Sequence, residues 1–143
     1  MNTPKRLRVL WLCSWYPSKV DVFAGDFIQR HAEAASVFCD ITVIHCIGND
    51  KVNKVTKSRS VQTTGLVELI GYYPKKGVLN RILSPLRWVL LKKRMVDEFI
   101  KREGLPDIVH VQVPYKSGLA ARYLRWRFGI PYVVMNIGAS IMK

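Results

Sequence analysis

The residues most suited to chemistry begin with Gly25, which stands immediately before a helical pattern that starts at Asp26. Free backbone N–H groups and the positive end of the dipole make a helix start favourable for phosphate, and glycine lets a ligand approach the backbone closely. The chain has no G-x-G-x-x-G turn here, which argues against a dinucleotide dehydrogenase. Gly25 and Asp26 are therefore predicted to form a phosphate-binding loop, with a turn glycine before an ordinary helix as the alternative.

The three histidines are further candidates, and their surroundings separate them. His110 lies in an apolar strand-like segment with Gln112 two residues on, so both can reach a ligand at the end of that strand. His31 and His45 are interpreted as structural, since the first belongs to a helical row with Phe27, Ala34 and Phe38 and the second lies inside a strand. Three aromatic residues could stack on a sugar ring or cover the sheet edge: Trp15, Tyr16 and Tyr115. The sequence shows no nucleophile–base pair, metal-ligand cluster or local carboxylate pair, and no metal is predicted.

Strands and helices must position these residues, and the hydrophobic pattern indicates both. Continuous apolar runs are typical of strands that are buried on both faces, and they predict strands at 7–13, 41–47, 66–73, 106–113 and from Ile130 onward. Helical spacing predicts helices from Asp26 to Asp40, from Ser84–Pro85 to about Arg102, and over 115–129. The basic segment 49–60 is predicted to be a mobile loop. This order predicts one α/β, Rossmann-like domain over 1–143, with a doubly wound parallel sheet and helices on both faces.

Ligands of such sheets bind outside the carboxyl ends of the strands, and three segments converge on that edge. They are the loop after the first strand, the segment "HVQVPYKSG" and the segment "MNIGAS". A connection within a crossover needs about 2–6 residues, whereas the first loop uses about a dozen. We therefore expect a ligand-binding cleft at this edge, formed by Tyr16, His110, Gln112, Tyr115 and Gly138.

The sequence is strongly basic, with 23 Lys and Arg against 10 Asp and Glu and a net charge of +13. Such an excess favours an anionic partner, whether nucleic acid, a phosphorylated ligand or an acidic membrane. Seven cations in or near the long central helix are interpreted as one anion-binding patch: Lys75, Lys76, Arg87, Lys92, Lys93, Arg94 and Lys101. An anionic membrane surface is one partner for this patch, and a plain solvated helix face is the alternative.

The cysteines and the N-terminus indicate a location. Cys13, Cys39 and Cys46 form no CxxC pair and lie in or beside apolar runs, as expected for reduced thiols. The apolar run after the basic N-terminus has five residues, below the roughly 7–15 of a signal peptide. No stretch approaches the roughly 20 apolar residues of a spanning helix. A cytoplasmic location is predicted, with peripheral attachment to the inner face of the membrane.

Two segments in the correct order resemble the N-terminal half of a GT-B glycosyltransferase, in the retaining glycosyl transferases group 1 (family 4). They are "WYPSKVDVFAGDFIQRHAEAA" and "PDIVHVQVPYKSGLAARYLRWRFGIPYVVMNIG". The resemblance implies two Rossmann-like domains that face each other across a cleft. The N-terminal domain would bind the acceptor, and a C-terminal donor-binding domain would bind the nucleotide-sugar, with Gly25 close to the donor diphosphate. No cofactor is implied apart from this co-substrate.

The sequence departs from the family pattern in two places. Ile137 occupies the position where the family often has a histidine, so Asn136 is the candidate catalytic donor in its place. The family's donor domain, with two glutamates separated by seven residues, has no counterpart up to Lys143. The resemblance therefore implies the acceptor-side domain, incomplete and inactive alone, of an enzyme that transfers a sugar to a glycan or lipid-linked acceptor in polysaccharide or cell-envelope synthesis. The alternatives are a non-catalytic protein on the same fold and a basic nucleic-acid-binding module, although recognition-helix, RRM and zinc motifs are absent.

Overall fold

The computed structural model describes residues 5–112 and 117–135, which contain six strands and three helices. In chain order these elements are β1 (Arg8–Cys13), α1 (Asp26–Ala35), β2 (Asp40–Asn49), β3 (Thr56–Val61), β4 (Val67–Pro74), α2 (Val78–Glu103), β5 (Ile108–Gln112), α3 (Ser117–Phe128) and β6 (Tyr132–Met135). Strands β2, β3 and β4 follow one another without a helix, and the other strands are separated by helices.

All six strands form one sheet in the order β3-β4-β2-β1-β5-β6. Four neighbouring pairs are parallel, and the β3–β4 pair is antiparallel. The register brings three carboxyl ends side by side, because Gln112 of β5 pairs with Cys13 of β1 and with Met135 of β6. The predicted Rossmann-like α/β fold is confirmed, with one antiparallel strand added at an edge.

Strand β3 shows that the prediction of a mobile loop over 49–60 is wrong. It pairs with β4 from Thr56, opposite Tyr72, to Val61, opposite Val67. Most of its side chains are exposed because it lies at the edge, and the Lys57 ammonium forms an ion pair with Glu98 at 2.8 Å. Edge strands are commonly polar and basic. Because β3 has few apolar residues, the hydrophobic pattern does not predict it as a strand.

Helices cover both faces of the sheet, as predicted. On one face α1 packs over a core that includes Trp11 and Ile28. On the other face α2 and α3 enclose a second core that includes Leu12, Ile44 and Phe99. Fully burying one such aliphatic side chain contributes about 1.5–3 kcal/mol. The two cores hold β1 at the centre of the sheet, where the first long loop begins.

Helix α2 begins at Val78 rather than at Ser84–Pro85, and Pro85 lies inside it. Good helix formers such as Leu79 and Arg81 precede the proline, and the proline itself is exposed. The helix therefore starts almost two turns earlier than predicted, which adds several apolar residues to its length.

In α1 the structure buries only part of the face that the sequence predicts, which includes Ile28, Ala32 and Ala35 beside the row of His31. Ile28 and Ala32 are buried, whereas His31 and Phe38 are exposed. The two rows are offset by one residue, and both have helical spacing. The spacing alone does not decide which of the two rows is buried, and the prediction of His31 as a core histidine is wrong because it is a surface residue.

Candidate functional site

The carboxyl edge of the sheet joins the start of the first loop to the end of β5. The Ser14 N–H donates to the Gln112 carbonyl at 3.3 Å. The Ser14 and Ser117 hydroxyl oxygens are 3.0 Å apart, which links the same loop to the first residue of α3. Two of the three segments that are expected at the cleft therefore meet in the structure. Four residues assigned to the site lie outside the described residues: Tyr115, Asn136, Ile137 and Gly138.

The loop after β1 (residues 14–25) is ordered by its own side chains. The Asp21 carboxylate accepts hydrogen bonds from the N–H groups of Phe23, at 3.0 Å, and Ala24, at 3.2 Å. The Tyr72 hydroxyl of β4 accepts a further N–H of the loop at 3.0 Å. Short polar side chains that bond to nearby backbone N–H groups favour turns. The loop is therefore a series of turns attached to the sheet.

Gly25 ends this loop in the left-handed conformation, with φ 67° and ψ 27°. A Cβ atom on Gly25 would lie 2.9 Å from the Trp15 carbonyl carbon and 3.0 Å from the Tyr16 nitrogen. The close approach that glycine permits is thus to the loop's own backbone. Helix α1 begins at Asp26, as predicted, with Gly25 in the N-cap position, and the Asp26 carboxylate pairs with Arg30 at 3.2 Å. Phosphate binding by Gly25 and Asp26 stays a prediction.

Gly25→Ala is expected to lower the free energy of unfolding by about 2 kcal/mol or more. The left-handed conformation costs an L-residue about 1–2 kcal/mol, and overlap with the loop backbone adds to this cost. Gly65→Ala is the matched control, because Gly65 also has a positive φ of 91° but no atom within 4 Å of the added Cβ. Urea unfolding of both variants measures the difference, and equal losses would show that the contact with the loop is unimportant.

A buried carboxylate that contacts the loop is missed by the sequence analysis. Glu68 of β4 is 4% exposed and accepts hydrogen bonds from the Tyr16 hydroxyl, the Gln29 amide at 2.8 Å and the Gln62 amide at 2.6 Å. The Ser60 hydroxyl donates to the same oxygen as Gln62, at 3.3 Å. One side chain therefore connects the loop after β1, helix α1 and strand β3. The signal in the sequence is its position among the apolar residues of "LVELIGYY".

Tyr16 does not line an open cleft, so that prediction is wrong. Its side chain is fully buried, because its hydroxyl reaches inward to Glu68. Burial raises the pKa of Tyr16, and the hydrogen bond to Glu68 raises it further, so the phenol stays protonated. Its neighbour Trp15 is exposed. Tyr16 therefore anchors the loop, and Trp15 is the aromatic residue at the surface.

His110 is half-buried in the middle of β5, where it contacts the core. Its ring meets the Trp11 ring edge-on, with the centroids 4.5 Å apart. Burial lowers the pKa of His110, so the imidazole is neutral near pH 7. The Nε2 atoms of His110 and Gln112 are 3.1 Å apart. With the amide as donor, His110 accepts at Nε2 and carries its own proton on Nδ1.

Gln112 has a buried acceptor atom that the described residues leave without a donor. Its side chain is fully buried, and within residues 5–112 and 117–135 its Oε1 atom has no hydrogen-bond partner. Leaving such an atom unpaired costs about 1–3 kcal/mol. This oxygen is covered in the structure, so a ligand hydroxyl can donate to it only where a neighbouring group moves aside, and the backbone carbonyl of the same residue contacts Ser14 of the loop after β1. Gln112 is therefore the clearest candidate for ligand recognition at this edge.

Lys92 does not belong to the surface patch that the sequence predicts. Its side chain is 1% exposed, and its ammonium donates to the carbonyls of Cys13, at 3.1 Å, and Ile44, at 2.9 Å. The His45 Nδ1 atom lies 3.2 Å from the same Cys13 carbonyl. Burial lowers the pKa of Lys92 and lowers that of His45 to about 4. Lys92 therefore attaches α2 to the end of β1 and the middle of β2 and does not bind an external anion.

Comparison with known proteins adds one relationship. No protein-family model matches this chain. The chain is similar to a protein of Bacillus subtilis (strain 168) named "Putative teichuronic acid biosynthesis glycosyltransferase TuaC". The two are 24% identical over 151 aligned residues, which cover 94% of this chain and 37% of the relative, so the chain spans a little over a third of the relative's length. The similarity supports a glycosyltransferase relationship.

The other residues of the predicted anion-binding patch reach the surface. Arg87 is half-buried, and the remaining five are exposed: Lys75, Lys76, Lys93, Arg94 and Lys101. Two of these make ion pairs one turn further along α2, Lys93 with Asp97 at 2.7 Å and Arg94 with Glu98 at 3.4 Å. Exposed pairs of this kind contribute little stability. The anion-binding patch without Lys92 thus lies at the surface. Its binding to an anionic membrane stays a prediction.

A cavity of about 390 Å³ lies at the opposite edge of the sheet. It is lined by residues at the amino ends of strands and in the second half of α2, among them Arg8, Thr42, Arg59 and Phe99. Arg8 begins β1, whereas the candidate cleft lies beyond Cys13 at the end of that strand. The cavity is therefore separate from the candidate cleft.

Metal and membrane-spanning features can be assessed for the part of the chain that the structure describes. In residues 5–112 and 117–135, no group of three His, Cys, Asp or Glu side chains could hold a metal ion. In the same residues, no helix has both the length and the apolar composition needed to cross a bilayer.

Proposed function

We propose that the chain is the acceptor-side domain of a retaining GT-B glycosyltransferase, which transfers a sugar from a nucleotide-sugar to a glycan or lipid-linked acceptor. The similarity to a glycosyltransferase over 94% of the chain carries this proposal. The relative's name places that protein in teichuronic acid biosynthesis, which supports polysaccharide synthesis as the setting here. The Rossmann-like fold also supports it, because such sheets bind ligands at their carboxyl edge.

In this proposal the carboxyl edge forms one wall of a cleft, and a donor-binding domain forms the other. The Gln112 Oε1 atom accepts a hydrogen bond from an acceptor hydroxyl, beside the neutral His110 imidazole. The exposed Trp15 ring stacks on a sugar of the acceptor. Gly25 and Asp26 approach the donor diphosphate across the cleft. Asn136 is the candidate catalytic hydrogen-bond donor. The nucleotide-sugar is the co-substrate, and the proposed reaction uses no metal ion.

The 143-residue chain alone is expected to bind an acceptor glycan without transferring sugar to it. Stabilising the departing nucleoside diphosphate needs preorganised donors around it, and in the proposed enzyme most of these belong to the donor domain. Teichuronic acid oligosaccharides are a suitable acceptor probe, and radiolabelled UDP-glucose is a suitable donor probe. Saturation-transfer NMR should show binding of the oligosaccharide, and the transfer assay should give only the background of hydrolysis.

Gln112→Leu is the matched variant, because leucine has a similar size but no acceptor atom. It should weaken oligosaccharide binding about fivefold to tenfold, the effect of one hydrogen bond. Sugar transfer by the 143-residue chain well above the hydrolysis background would contradict the domain assignment. Absence of saturable binding to the oligosaccharide, or binding that Gln112→Leu leaves unchanged, would contradict the proposed acceptor site.

A further inference from the structure

The outward side of α2 carries an apolar surface over the first half of the helix. We name this surface the α2 apolar band, and its six side chains are between 45% and 75% exposed: Val78, Leu79, Ile82, Leu86, Val89 and Leu90. With about 3.6 residues per turn, these positions share one arc of the helix. The opposite side of the helix packs on the sheet through residues such as Trp88, Leu91 and Met95. The band therefore plays no part in the core of the described fold.

The charges around the α2 apolar band are positive. Residues 75–96 contain no Asp or Glu. Lys75 and Lys76 precede the band, and Lys93 and Arg94 follow it, all with exposed side chains. Lys93 and Arg94 also form exposed ion pairs with Asp97 and Glu98, so Lys75 and Lys76 are the cations of this set without such a pair in the described residues. An amphipathic helix with cations around an apolar surface is typical of helices that lie in the headgroup region of an anionic bilayer.

Helix α3 extends the same surface, because it packs on the same face of the sheet as α2. The Lys93 ammonium lies 5.4 Å from the centre of the Tyr123 ring, which places the two helices in contact. Away from the sheet, α3 exposes Arg122 and Trp126, the latter at 82%, and its sequence contains no acidic residue. Tryptophan is enriched at the membrane–water interface. The two helices thus present apolar, aromatic and cationic groups on one side of the protein.

We propose that this side docks on an anionic membrane, with the α2 apolar band in the headgroup region and the cations on lipid phosphates. Charge complementarity selects a bilayer, because anionic headgroups accept the cations while the acyl boundary accepts the apolar side chains. A nucleic acid would neutralise the cations but leave the band in water. Helix α2 begins shortly after Pro74, at the carboxyl end of β4. If the proposed function holds, docking therefore brings the cleft edge close to a lipid-linked acceptor.

Co-sedimentation of the 143-residue chain with vesicles tests the docking. Binding to vesicles that contain phosphatidylglycerol is expected to be at least about tenfold tighter than binding to pure phosphatidylcholine vesicles. Leu79→Asp/Ile82→Asp places two charges in the band and should weaken binding to the anionic vesicles about tenfold or more. Phe38→Asp is the matched control, because Phe38 is 82% exposed but follows α1 on the other face of the sheet. This control should bind like the parent chain.

A second variant reverses two positive charges beside the α2 apolar band and leaves the apolar side chains of the band unchanged. Lys75→Glu/Lys76→Glu alters two exposed residues outside the helix, which leaves folding intact, and it should reduce the preference for phosphatidylglycerol. Equal binding of the parent to both types of vesicle, or unchanged binding by Leu79→Asp/Ile82→Asp, would overturn the proposal. Salt-dependent binding to RNA without binding to vesicles would overturn it as well. These readouts involve no sugar, so failure of docking is distinguishable from failure of the proposed function.

Discussion

Glu68→Leu is expected to lower the free energy of unfolding by about 3 kcal/mol or more. The variant removes the acceptor of four hydrogen bonds and leaves the Tyr16 hydroxyl buried without its partner. A hydrogen bond to a charged group contributes about 1.5–3 kcal/mol, and an unpaired buried donor costs about 1–3 kcal/mol. Because these donors belong to the loop, α1 and β3, the loss falls on the part of the fold that shapes the carboxyl edge.

Urea unfolding followed by circular dichroism measures this loss. Glu103→Leu is the control, since Glu103 is an exposed carboxylate at the end of α2 and its replacement should change stability little. Tyr16→Phe removes one of the four donors and should cost about 1 kcal/mol. Amide exchange in residues 14–25 should be faster in Glu68→Leu than in the parent. If Glu68→Leu and Glu103→Leu lose the same stability, Glu68 does not hold the loop.

Acidification from pH 6.5 to pH 4 is expected to remove about 3 kcal/mol of stability through His45. Burial, with a smaller effect from the nearby Lys92 charge, lowers the pKa of His45 from 6.5 to about 4. The unfolded imidazole therefore binds a proton below pH 6.5, whereas the folded imidazole stays neutral until about pH 4. Since the unfolded state binds more protons in this window, stability is greatest above pH 6.5 and falls as the pH falls.

His45→Asn isolates this contribution, because the asparagine amide can donate to the Cys13 carbonyl but does not titrate. Carboxylates also titrate in this range, and Lys92 shares the same carbonyl, so the informative quantity is the difference between the two proteins. Between pH 7 and pH 4 the parent should lose about 3 kcal/mol more than His45→Asn in urea unfolding. Parallel pH profiles would show that His45 does not titrate as its burial implies.

The order of strands and helices can be predicted from the sequence because β1, β2 and β5 are apolar runs that a doubly covered sheet can bury. Polar residues inside that framework cannot be placed in the same way. Lys92 follows Trp88 by four residues and precedes Met95 by three, which is the spacing of the buried face. Its charge nevertheless favours an exposed position, since lysine is rarely buried. Only the carbonyl groups of Cys13, at the end of β1, and of Ile44, in the middle of β2, explain why it is inside.

Part of the candidate site can be predicted from the sequence, because apolar runs locate the strands whose ends form it. Once β5 is recognised as a strand, its last residue, Gln112, is placed at the carboxyl edge and His110 two residues before it. The inward direction of Tyr16 depends on the turn geometry of the loop and on Glu68, which is distant in the sequence. The α2 apolar band shows the same limit, because a helix that is apolar on most sides does not reveal which side packs on the sheet.

The hydrogen bonds of Asp21 have a consequence for affinity. A flexible segment loses conformational entropy when a ligand orders it, and that loss is subtracted from the binding free energy. Here the turn is already closed by a side chain of the chain itself. A sugar that contacts residues 14–25 would therefore meet a rigid rim, and closure around it would have to come from movement elsewhere in the enzyme.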